Sequence, residues 1–333
     1  MYMNRYDRQE KFNHIGRAGQ SLINTKTVGI IGMGALGTHT ASTLVRAGVK
    51  RLIIIDRDYV ELSNLQRQTL FVERDAVESL PKVIAAKKQL EQIDSEVMIT
   101  AHIDHCDAAA LHDYFASCDL LIDGTDNFEV RQTINDFSYK TNIPWIYGAC
   151  VEATYAACAF IPGVTPCFNC ALGSLPVMNR TCDTVGIIEP AVSLAASFQS
   201  VYAMKILTGI PFDSKLIYGD VWNNDHTTLK FGRTKKPDCV TCGVHPTFPY
   251  LADTQQETML CGRNTVQFRR VTDNAAELER FLSDRDMNYQ KTPYFIRFQF
   301  NEKPMMWFPG GRLLIHDIKS INEAKTVFHQ LFG

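Results

Sequence analysis

Ten cysteines are distributed along the chain, and four of them have the paired spacing of metal ligands. Cys167 and Cys170 form one Cys-x-x-Cys pair, and Cys239 and Cys242 form the other. In a reducing compartment such pairs indicate a metal site rather than disulfides. Four thiolates complete a tetrahedral zinc shell and leave no position open for water. We therefore expect a structural zinc site that ties a loop to the chain near residue 240, with four unliganded thiols as the alternative.

A glycine-rich turn lies between a predicted strand and a predicted helix. Gly32, Gly34 and Gly37 follow the pattern G-x-G-x-x-G, with Ala35 inside it. Such glycines permit a tight turn and let backbone N–H groups approach phosphates at the start of a helix. Asp56 ends the next predicted strand, where an acidic side chain can bind ribose hydroxyls. These residues predict a nucleotide site; a turn that serves packing alone is the alternative.

The residues that follow Asp56 distinguish between two nucleotide chemistries. A long polar stretch, Arg57 to Gln68, stands where a dehydrogenase would turn directly into a helix. Lys82 lies in the first turn of the next predicted helix, and Asp126 closely follows the fourth predicted strand. Cations and a carboxylate around one phosphate site suit phosphoryl or nucleotidyl transfer, in which charge is neutralised as pyrophosphate leaves. A nicotinamide-dependent oxidoreductase is the alternative. It leaves Arg67, Lys82, Asp126 and the cysteine pairs unexplained.

The elements that position these residues alternate between strand and helix. Apolar runs predict strands at residues 28–32, 52–56, 97–103, 120–123, 145–150, 156–161, 216–221 and 227–232. Helical patterns separate the first of these strands, and a long helix is predicted from about 190 to 208. Apolar strands separated by helices imply an α/β fold with a Rossmann-like, mostly parallel sheet and helices on both faces.

The sequence predicts two domains, residues 1–248 and residues 249–333. The second is a small α+β module with strands at 265–269, 295–300, 305–308 and 313–316 and helices at 275–282 and 322–331. Its element order would suit a protein-docking domain by analogy alone. Its one cysteine, Cys261, precedes the first predicted strand, so the module lacks a rhodanese-type active-site loop.

Composition and charge argue against two classes of protein. The 333 residues include 34 Lys+Arg and 36 Asp+Glu, which gives a formal net charge of -2. The chain therefore lacks the cationic excess with which general nucleic-acid-binding proteins neutralise phosphates. Its apolar runs fall short of the roughly 18 residues that a spanning helix needs, and its polar start is unlike a signal peptide. We expect a cytoplasmic protein that binds neither nucleic acid nor membranes.

Together these motifs resemble those of the ThiF/MoeB/HesA family, the bacterial relatives of ubiquitin-activating enzymes. The resemblance covers about residues 4–243. Its motifs are, in order, Arg5-Tyr-Asp-Arg8-Gln, the glycine-rich turn, Leu62-Ser-Asn-Leu-Gln-Arg67-Gln, Pro81-Lys82, Asp123-Gly-Thr-Asp126-Asn127 and the two cysteine pairs. It implies an adenylyltransferase that uses ATP and magnesium. The substrate would be the C-terminal glycine of a small ubiquitin-like sulfur-carrier protein ending in Gly-Gly, in thiamine or molybdopterin biosynthesis.

The resemblance also implies roles for single residues. Nucleotide binding would fall to Gly32, Gly34, Ala35, Gly37, Asp56, Ser63, Asn64, Gln66, Arg67, Lys82, Asp126 and Asn127. Catalysis would involve Arg67, Lys82, Asp126, Arg8 and Cys182. Asp126 would hold magnesium, and Arg8 would reach the phosphates of a neighbouring subunit, which implies a homodimer. Cys182 is either a covalent participant in later sulfur transfer or a spectator thiol. A non-catalytic activating-enzyme subunit is a further alternative, disfavoured by this complete residue set.

Overall fold

Eight strands form one sheet in the computed structural model of the chain, and its central strands are buried apolar runs. The strands are β1 (Thr27–Ile31), β2 (Arg51–Ile55), β3 (Met98–His102), β4 (Leu120–Asp123), β5 (Trp145–Val151), β6 (Thr154–Phe160), β7 (Leu216–Asp220) and β8 (Asp225–Leu229). Their order across the sheet is β3-β2-β1-β4-β5-β6-β7-β8. β1 to β5 are parallel, and β6 to β8 continue the sheet as antiparallel strands. The predicted mostly parallel sheet is confirmed.

Helices lie on both faces of this sheet, as predicted. The helices described in this unit are α1 (Asp7–Glu10), α2 (Gly16–Thr25), α3 (Ala35–Arg46), α4 (Glu73–Val77), α5 (Lys82–Ile93), α6 (Ala108–Phe115), α7 (Phe128–Thr141), α8 (Phe168–Leu172) and α9 (Glu189–Leu207). On one face, Phe115 of α6 and Ile134 of α7 pack in a core with Trp145. On the other face, Ala195 of α9 packs in a core with Cys150. β5 contributes to both cores because successive side chains of a strand point to opposite faces.

The order of the strands reverses at β1, which lies between β2 and β4. The N–H of Gly32 donates to the carbonyl of Ile55 at 2.8 Å, and the N–H of Gly124 donates to the carbonyl of Ile31 at 2.8 Å. The turns after β1 and β4 are therefore joined to the ends of neighbouring strands. Open α/β sheets bind ligands at such a reversal, outside the carboxyl ends of the strands.

The structure describes residues 4–172, 186–252, 257–260, 264–268, 271–272 and 274–333, so Cys182 lies outside the described residues. The chain divides into two compact units, Met1–Asp253 and Thr254–Gly333. This division falls slightly after the one predicted from sequence, because a short 3-10 turn, Pro249–Leu251, packs on the first unit. Within the described ranges, no helix has both the length and the apolar character needed to cross a membrane.

In the second unit, the described residues form a six-stranded antiparallel sheet and two helices. Its strands are β9 (Glu257–Leu260), β10 (Thr265–Phe268), β11 (Tyr289–Lys291), β12 (Ile296–Phe300), β13 (Lys303–Phe308) and β14 (Arg312–Ile315), in the order β11-β12-β13-β14-β10-β9. The helices are α10 (Ala275–Ser283) and α11 (Ile321–Phe332). Phe268 stacks on Phe328 with ring centroids 4.5 Å apart, which joins α11 to the sheet. The strands β9 and β11, at the two edges, were not predicted.

A candidate nucleotide site and a candidate metal site

The glycine-rich turn after β1 has no room for side chains at two of its positions. Gly32 has a φ of +90°, and a Cβ there would lie 2.8 Å from the carbonyl oxygen of Gly124. A Cβ on Gly37 would overlap the carbonyl oxygen of Gly32. Helix α3 begins directly after Gly34, so the N–H groups of its first turn lack intrahelical acceptors. The turn therefore presents backbone donors to an anion at the switch point of the sheet.

Asp56 is bonded to this turn from the end of β2. Its Oδ2 accepts the N–H of Met33 at 2.7 Å, and its Oδ1 accepts the N–H of Asp58 at 2.8 Å. Burial raises the pKa of the Asp56 carboxyl, and the nearby charge of Asp58 adds to this effect against the opposing charge of Lys82. The carboxylate is fixed beside the glycine turn, in the position expected for a group that binds ribose hydroxyls.

Lys82 is a nearly buried cation at the start of α5, only 4 % exposed. Its N–H donates to the carbonyl of Asp58 at 2.9 Å, and its Nζ lies 3.6 Å from Oδ2 of Asp58. A bridge between Tyr59 and Pro81 joins the same two segments. A lysine in a helix is most often a solvated surface charge. This burial beside two carboxylates near a glycine turn instead favours a role in binding an anionic ligand.

In the polar stretch after β2, the side-chain amide of Asn64 is buried, whereas the neighbouring polar side chains lie at the surface. Asn64 is 3 % exposed, and its Oδ1 accepts the N–H of Glu61 at 3.2 Å. Ser63 and Gln66 are exposed. Arg67 is partly exposed, and its Nη1 donates to the carbonyl of Ser63 at 3.0 Å. The stretch thus forms a tight turn with an arginine at its end.

The loop after β4 places one carboxylate in the interior and another at the surface. Asp123 is fully buried, and its Oδ1 accepts the N–H and the hydroxyl of Thr125 at 2.9 and 2.7 Å. Asp126 is exposed. Asn127 begins α7, since its Oδ1 accepts the N–H of Val130 at 3.1 Å. Asp123 therefore shapes the loop, Asn127 caps the helix, and Asp126 is available to a cation.

Arg131 supports this loop and was not identified from the sequence. Its Nε lies 2.8 Å from Oδ2 of Asp123, and its Nη2 donates to the carbonyls of Thr125 and Gly148 at 2.6 and 3.0 Å. Burial alone would lower the pKa of the Arg131 guanidinium. The Asp123 carboxylate has a larger, opposite effect, so the pKa lies above its ordinary value and the group stays charged. The only sequence signal is an arginine four residues after a helix-capping Asn127.

Arg8 is not brought to the nucleotide site of its own chain. Its side chain is 91 % exposed and lies 3.7 Å from Asp7 in α1. Near it, Gln9 donates to the carbonyl of Ala47 at 2.8 Å, just beyond the end of α3. Helix α3 starts at the carboxyl edge of the sheet, beside the glycine turn, and ends at the opposite edge. The five-residue strand β2 spans about 15 Å between those edges, so the segment holding Arg8 is attached away from the site.

The four paired cysteines come together, as predicted. Their Sγ atoms all lie within 4.8 Å of one another. The Sγ atoms of Cys167 and Cys239 are 3.5 Å apart, and those of Cys170 and Cys242 are 3.6 Å apart. Tetrahedral zinc with 2.3 Å bonds to sulfur requires sulfur atoms about 3.8 Å apart. The residues present therefore fit a zinc ion with four thiolate ligands.

Backbone N–H groups donate to two sulfur atoms of this cluster. The N–H of Lys236 donates to Sγ of Cys170 at 3.4 Å, and the N–H of Thr241 donates to Sγ of Cys239 at 3.5 Å. Within the cluster itself the sulfur atoms share protons: hydrogen bonds from neighbouring thiols, first of all Cys167, lower the pKa of Cys242 to about 5, while the same contact and burial raise the pKa of Cys167 well above its usual range, and burial raises that of Cys170 to about 11. A metal ligand must be deprotonated, and hydrogen bonds to sulfur stabilise that form.

Helix α7 connects the cluster to the nucleotide site. At its middle, the carboxylate of Asp136 accepts a hydrogen bond from the hydroxyl of Thr241 at 2.5 Å, and the amide oxygen of Asn135 accepts one from the N–H of Phe168 at 2.9 Å. Thr241 lies between the second cysteine pair, and Phe168 follows Cys167. Arg131, one turn earlier in the helix, holds the loop of the nucleotide site. One helix therefore supports both candidate sites.

Comparisons with known proteins agree with this arrangement. Residues 6–241 match the ThiF family. The chain is 40% identical over 334 residues to the sulfur carrier protein ThiS adenylyltransferase of Bacillus subtilis strain 168, covering 99% of each. It is 33% identical over 248 residues to the molybdopterin-synthase adenylyltransferase of Escherichia coli K12, covering 72% of this chain and 96% of that protein. The fold of E. coli MccB matches with a TM-score of 0.63 at 24% identity, covering 72% of this chain and 75% of that one. The chain therefore belongs to the ThiF family.

Proposed function

We propose that this chain uses ATP and magnesium to adenylate the C-terminal glycine of a ubiquitin-like sulfur-carrier protein. The observation that carries the proposal is that three kinds of group follow neighbouring strands at the switch point of the sheet, where the glycine turn packs on Gly124 and bonds to Asp56. These are the glycine turn, the nearly buried Lys82 and the exposed Asp126. Family membership and the names of its adenylyltransferase relatives support the same reaction. A nicotinamide enzyme would have no use for the cation and the carboxylate.

In the proposed reaction, a carboxylate oxygen of the carrier attacks the α-phosphate of ATP in line, and pyrophosphate leaves. The backbone N–H groups of the glycine turn would hold the phosphates, and Asp56 the ribose hydroxyls. Lys82 and Arg67 would stabilise the charge that develops on the leaving pyrophosphate. Asp126 would hold magnesium, which when bound neutralises part of the triphosphate charge. Catalysis then consists of positioning and charge stabilisation, with little acid–base chemistry.

The remaining predicted binding residues have supporting roles in this proposal. Ser63 and Gln66 line the exposed turn that precedes Arg67, and the buried Asn64 fixes the shape of that turn. Asn127 would contribute beside Asp126, while its side-chain oxygen caps α7. Ala35 is the first residue of α3, so its methyl group extends from a helix start and leaves the backbone donors accessible.

We propose that the carrier is of the ThiS type. The relative of that name is similar to the chain over almost all of its length, including the second unit. The molybdopterin relative matches over 72% of the chain. A carrier of the molybdopterin type is the second candidate, and the two are distinguished by the assay below. The two Cys-x-x-Cys pairs suit a reducing compartment, which supports a cytoplasmic location for this activity.

We also propose that the active form is a homodimer, because Arg8 is attached at the edge of the sheet opposite to its own nucleotide site. An arginine fixed there would reach a nucleotide only in another subunit.

The four cysteines would hold a structural zinc ion. Cys182 is either a thiol that bonds covalently to the carrier in a later step or a spectator. Adenylation needs no thiol, so Cys182→Ala should leave pyrophosphate exchange unchanged in either case.

Exchange of labelled pyrophosphate into ATP tests the proposed reaction. With magnesium and a ThiS-type carrier the wild-type chain should catalyse exchange, and without a carrier it should not. Lys82→Ala, Arg67→Ala and Asp126→Ala should each reduce the rate by about 10²-fold or more. Lys87→Ala is the matched control, because Lys87 lies on the same helix and pairs at the surface with Glu91. Exchange by all three variants, or exchange without a carrier, would contradict the mechanism; inactivity with every carrier would indicate a non-catalytic subunit.

A further inference from the structure

A buried carboxylate attaches the N-terminal arm, Arg5–Gln9, to the body of the first unit. Asp94 directly follows α5 and is 2 % exposed. Its Oδ2 accepts Nζ of Lys50 at 2.8 Å and the hydroxyl of Tyr6 at 3.2 Å, and it lies 3.3 Å from Nη1 of Arg5. Burial opposes ionisation of Asp94, but the hydrogen bond from Lys50 and other donors keep its pKa below the ordinary value. Asp94 is therefore a charged anchor that binds two arm residues.

The arm is attached on both sides of Arg8. On one side, Arg5 also donates to the carbonyl of Ile93 at 2.9 Å. On the other side, Gln9 donates to the carbonyl of Ala47 at 2.8 Å and to Oε1 of Gln20 at 2.6 Å. These contacts leave the Arg8 side chain 91 % exposed. The arm thus presents a single guanidinium outward from a fixed backbone.

All these attachment points lie at the amino-terminal edge of the sheet. Lys50 immediately precedes β2, and Asp94 lies between the end of α5 and the start of β3. The glycine turn, Asp56 and the loop after β4 lie at the opposite edge. The contacts that order the arm are therefore remote from the nucleotide site of the same chain, and they cannot position residues of that site directly.

We propose that Asp94 is a positioning residue for adenylation, because it fixes the N-terminal arm so that Arg8 enters the nucleotide site of a second copy of the chain. This inference rests on the proposed function, in which Arg8 acts across the dimer. A detached arm would sample many conformations. Only the fraction of molecules with Arg8 in place would then stabilise the transition state. Asp94 would act by keeping that fraction close to one.

Substitutions on both sides of the anchor test this role. Asp94→Asn keeps the shape of the side chain and removes its charge, and Arg5→Gln weakens the same contact from the exposed arm without altering the buried carboxylate. If the ordered fraction falls to a tenth, pyrophosphate exchange falls about tenfold. Glu96→Gln is the matched control, because Glu96 also pairs with Lys50 at 2.8 Å, is 80 % exposed and, among the described residues, makes no side-chain hydrogen bond or ion pair with the arm. It should retain the wild-type rate.

Mixed dimers separate a positioning role from a local structural defect. Two mixed dimers are compared. Both carry Arg67→Ala in one chain, which inactivates the site of that chain. They differ in which of the two chains carries Asp94→Asn. When Asp94→Asn is in the chain with the intact site, the arm that serves this site is intact, and the rate per intact site should equal that of the dimer with Arg67→Ala alone. When both substitutions are in one chain, the intact site receives the loosened arm, and the rate should fall about tenfold.

The outcomes distinguish failure of this inference from failure of the proposed function. If Asp94→Asn lowers the rate only when it shares a chain with the intact site, Asp94 acts on its own site, and the inference is wrong. If Arg8→Ala is impaired but Asp94→Asn and Arg5→Gln both match the wild type, Arg8 acts without the anchor, and the inference is again wrong. If Arg8→Ala itself exchanges pyrophosphate at the wild-type rate, the proposed role of Arg8 fails, and the anchor fails with it.

Discussion

Gln199, fully buried in α9, donates from Nε2 to the main-chain carbonyl of Asp123 at 2.7 Å. Its Oε1 accepts the hydroxyl of Thr40 of α3 at 3.0 Å. One side-chain amide therefore joins the helix that follows the glycine turn to the loop that carries Asp126. A Cβ on Gly148 of β5 would overlap this amide, so the strand is also shaped to admit it. The two walls of the nucleotide site are held at a fixed separation by Gln199.

Replacing Gln199 should weaken the site and the fold together. Gln199→Leu leaves the carbonyl of Asp123 and the hydroxyl of Thr40 without this partner, at a cost of about 1–3 kcal/mol for each buried group. We expect a lower free energy of unfolding in urea and a higher KM for ATP. Ser197→Ala, on the exposed side of the same helix, is the control, because its hydroxyl bonds only within the helix. Equal KM values for the two variants would show that the amide does not shape the site.

Two glycines of the same turn should differ in their tolerance of a methyl group. Gly37→Ala forces a clash with the backbone of Gly32, which cannot give way without moving the turn. Gly34→Ala meets its nearest atom, the carbonyl oxygen of Gly124, only at 3.9 Å. We expect Gly37→Ala to lower the free energy of unfolding by about 2 kcal/mol or more and Gly34→Ala to stay within about 0.5 kcal/mol of the wild type. Chemical denaturation measures both, and equal stabilities would contradict the steric argument.

The cysteine cluster should contain one zinc ion per chain. Elemental analysis should find it in the wild type and not in Cys242→Ser. The variant should lose about 3 kcal/mol or more of stability, because the free energy of metal binding is partly free energy of folding. Cys118→Ser is a control, since Cys118 is a buried cysteine outside the cluster. A metal-free wild type with full stability would rule the zinc site out.

His39 should make the stability of the first unit depend on pH. Burial lowers the pKa of this imidazole, and Glu189, whose Oε1 lies 3.3 Å from Nε2, only partly offsets the effect. His39 therefore binds a proton more readily in the unfolded chain, where its pKa is about 6.5. As a result, the free energy of unfolding decreases as the pH drops below that value. His39→Gln should remove this part of the decline.

The measurement is urea unfolding of both proteins between pH 7.5 and 5.5. The stability of the wild type should fall more steeply than that of His39→Gln as the pH decreases. His14→Gln is the control, because His14 is exposed, and its slope should match that of the wild type. Parallel slopes for the wild type and His39→Gln would show that His39 does not titrate differently in the folded protein.

The features predicted correctly depend on residues close together in sequence. The strand at 120–123 matches β4 because an apolar run and its polar ending are local signals. The cysteine pairs were predicted because each pair is a local pattern, even though the pairs are 72 residues apart. The general fold, with helices on both faces of the sheet, follows from the order of these local elements.

The features that were missed depend on contacts between distant residues. Gln199 bonds to a carbonyl 76 residues away, and no pattern around it indicates a partner. Arg131 resembles any basic residue in a helix until the burial of Asp123 is known. The short strands β9 and β11 lie at sheet edges, where one side of the backbone pairs and little apolar patterning is needed. Tertiary context, rather than local propensity, places all of these.

The separation of the two cysteine pairs sets the time at which the metal site can form. An ion that joins Cys167 to Cys239 closes a loop of 72 residues, with a chain-entropy cost of about 4 kcal/mol. That loop includes α9, β7 and β8, so during synthesis the last two ligands emerge from the ribosome only after all strands of the eight-stranded sheet have emerged. Metal capture is therefore a late step that secures an almost finished sheet. In metal-starved cells, we expect newly made chains to accumulate with the strands of this sheet paired and the four cysteines without a metal ion.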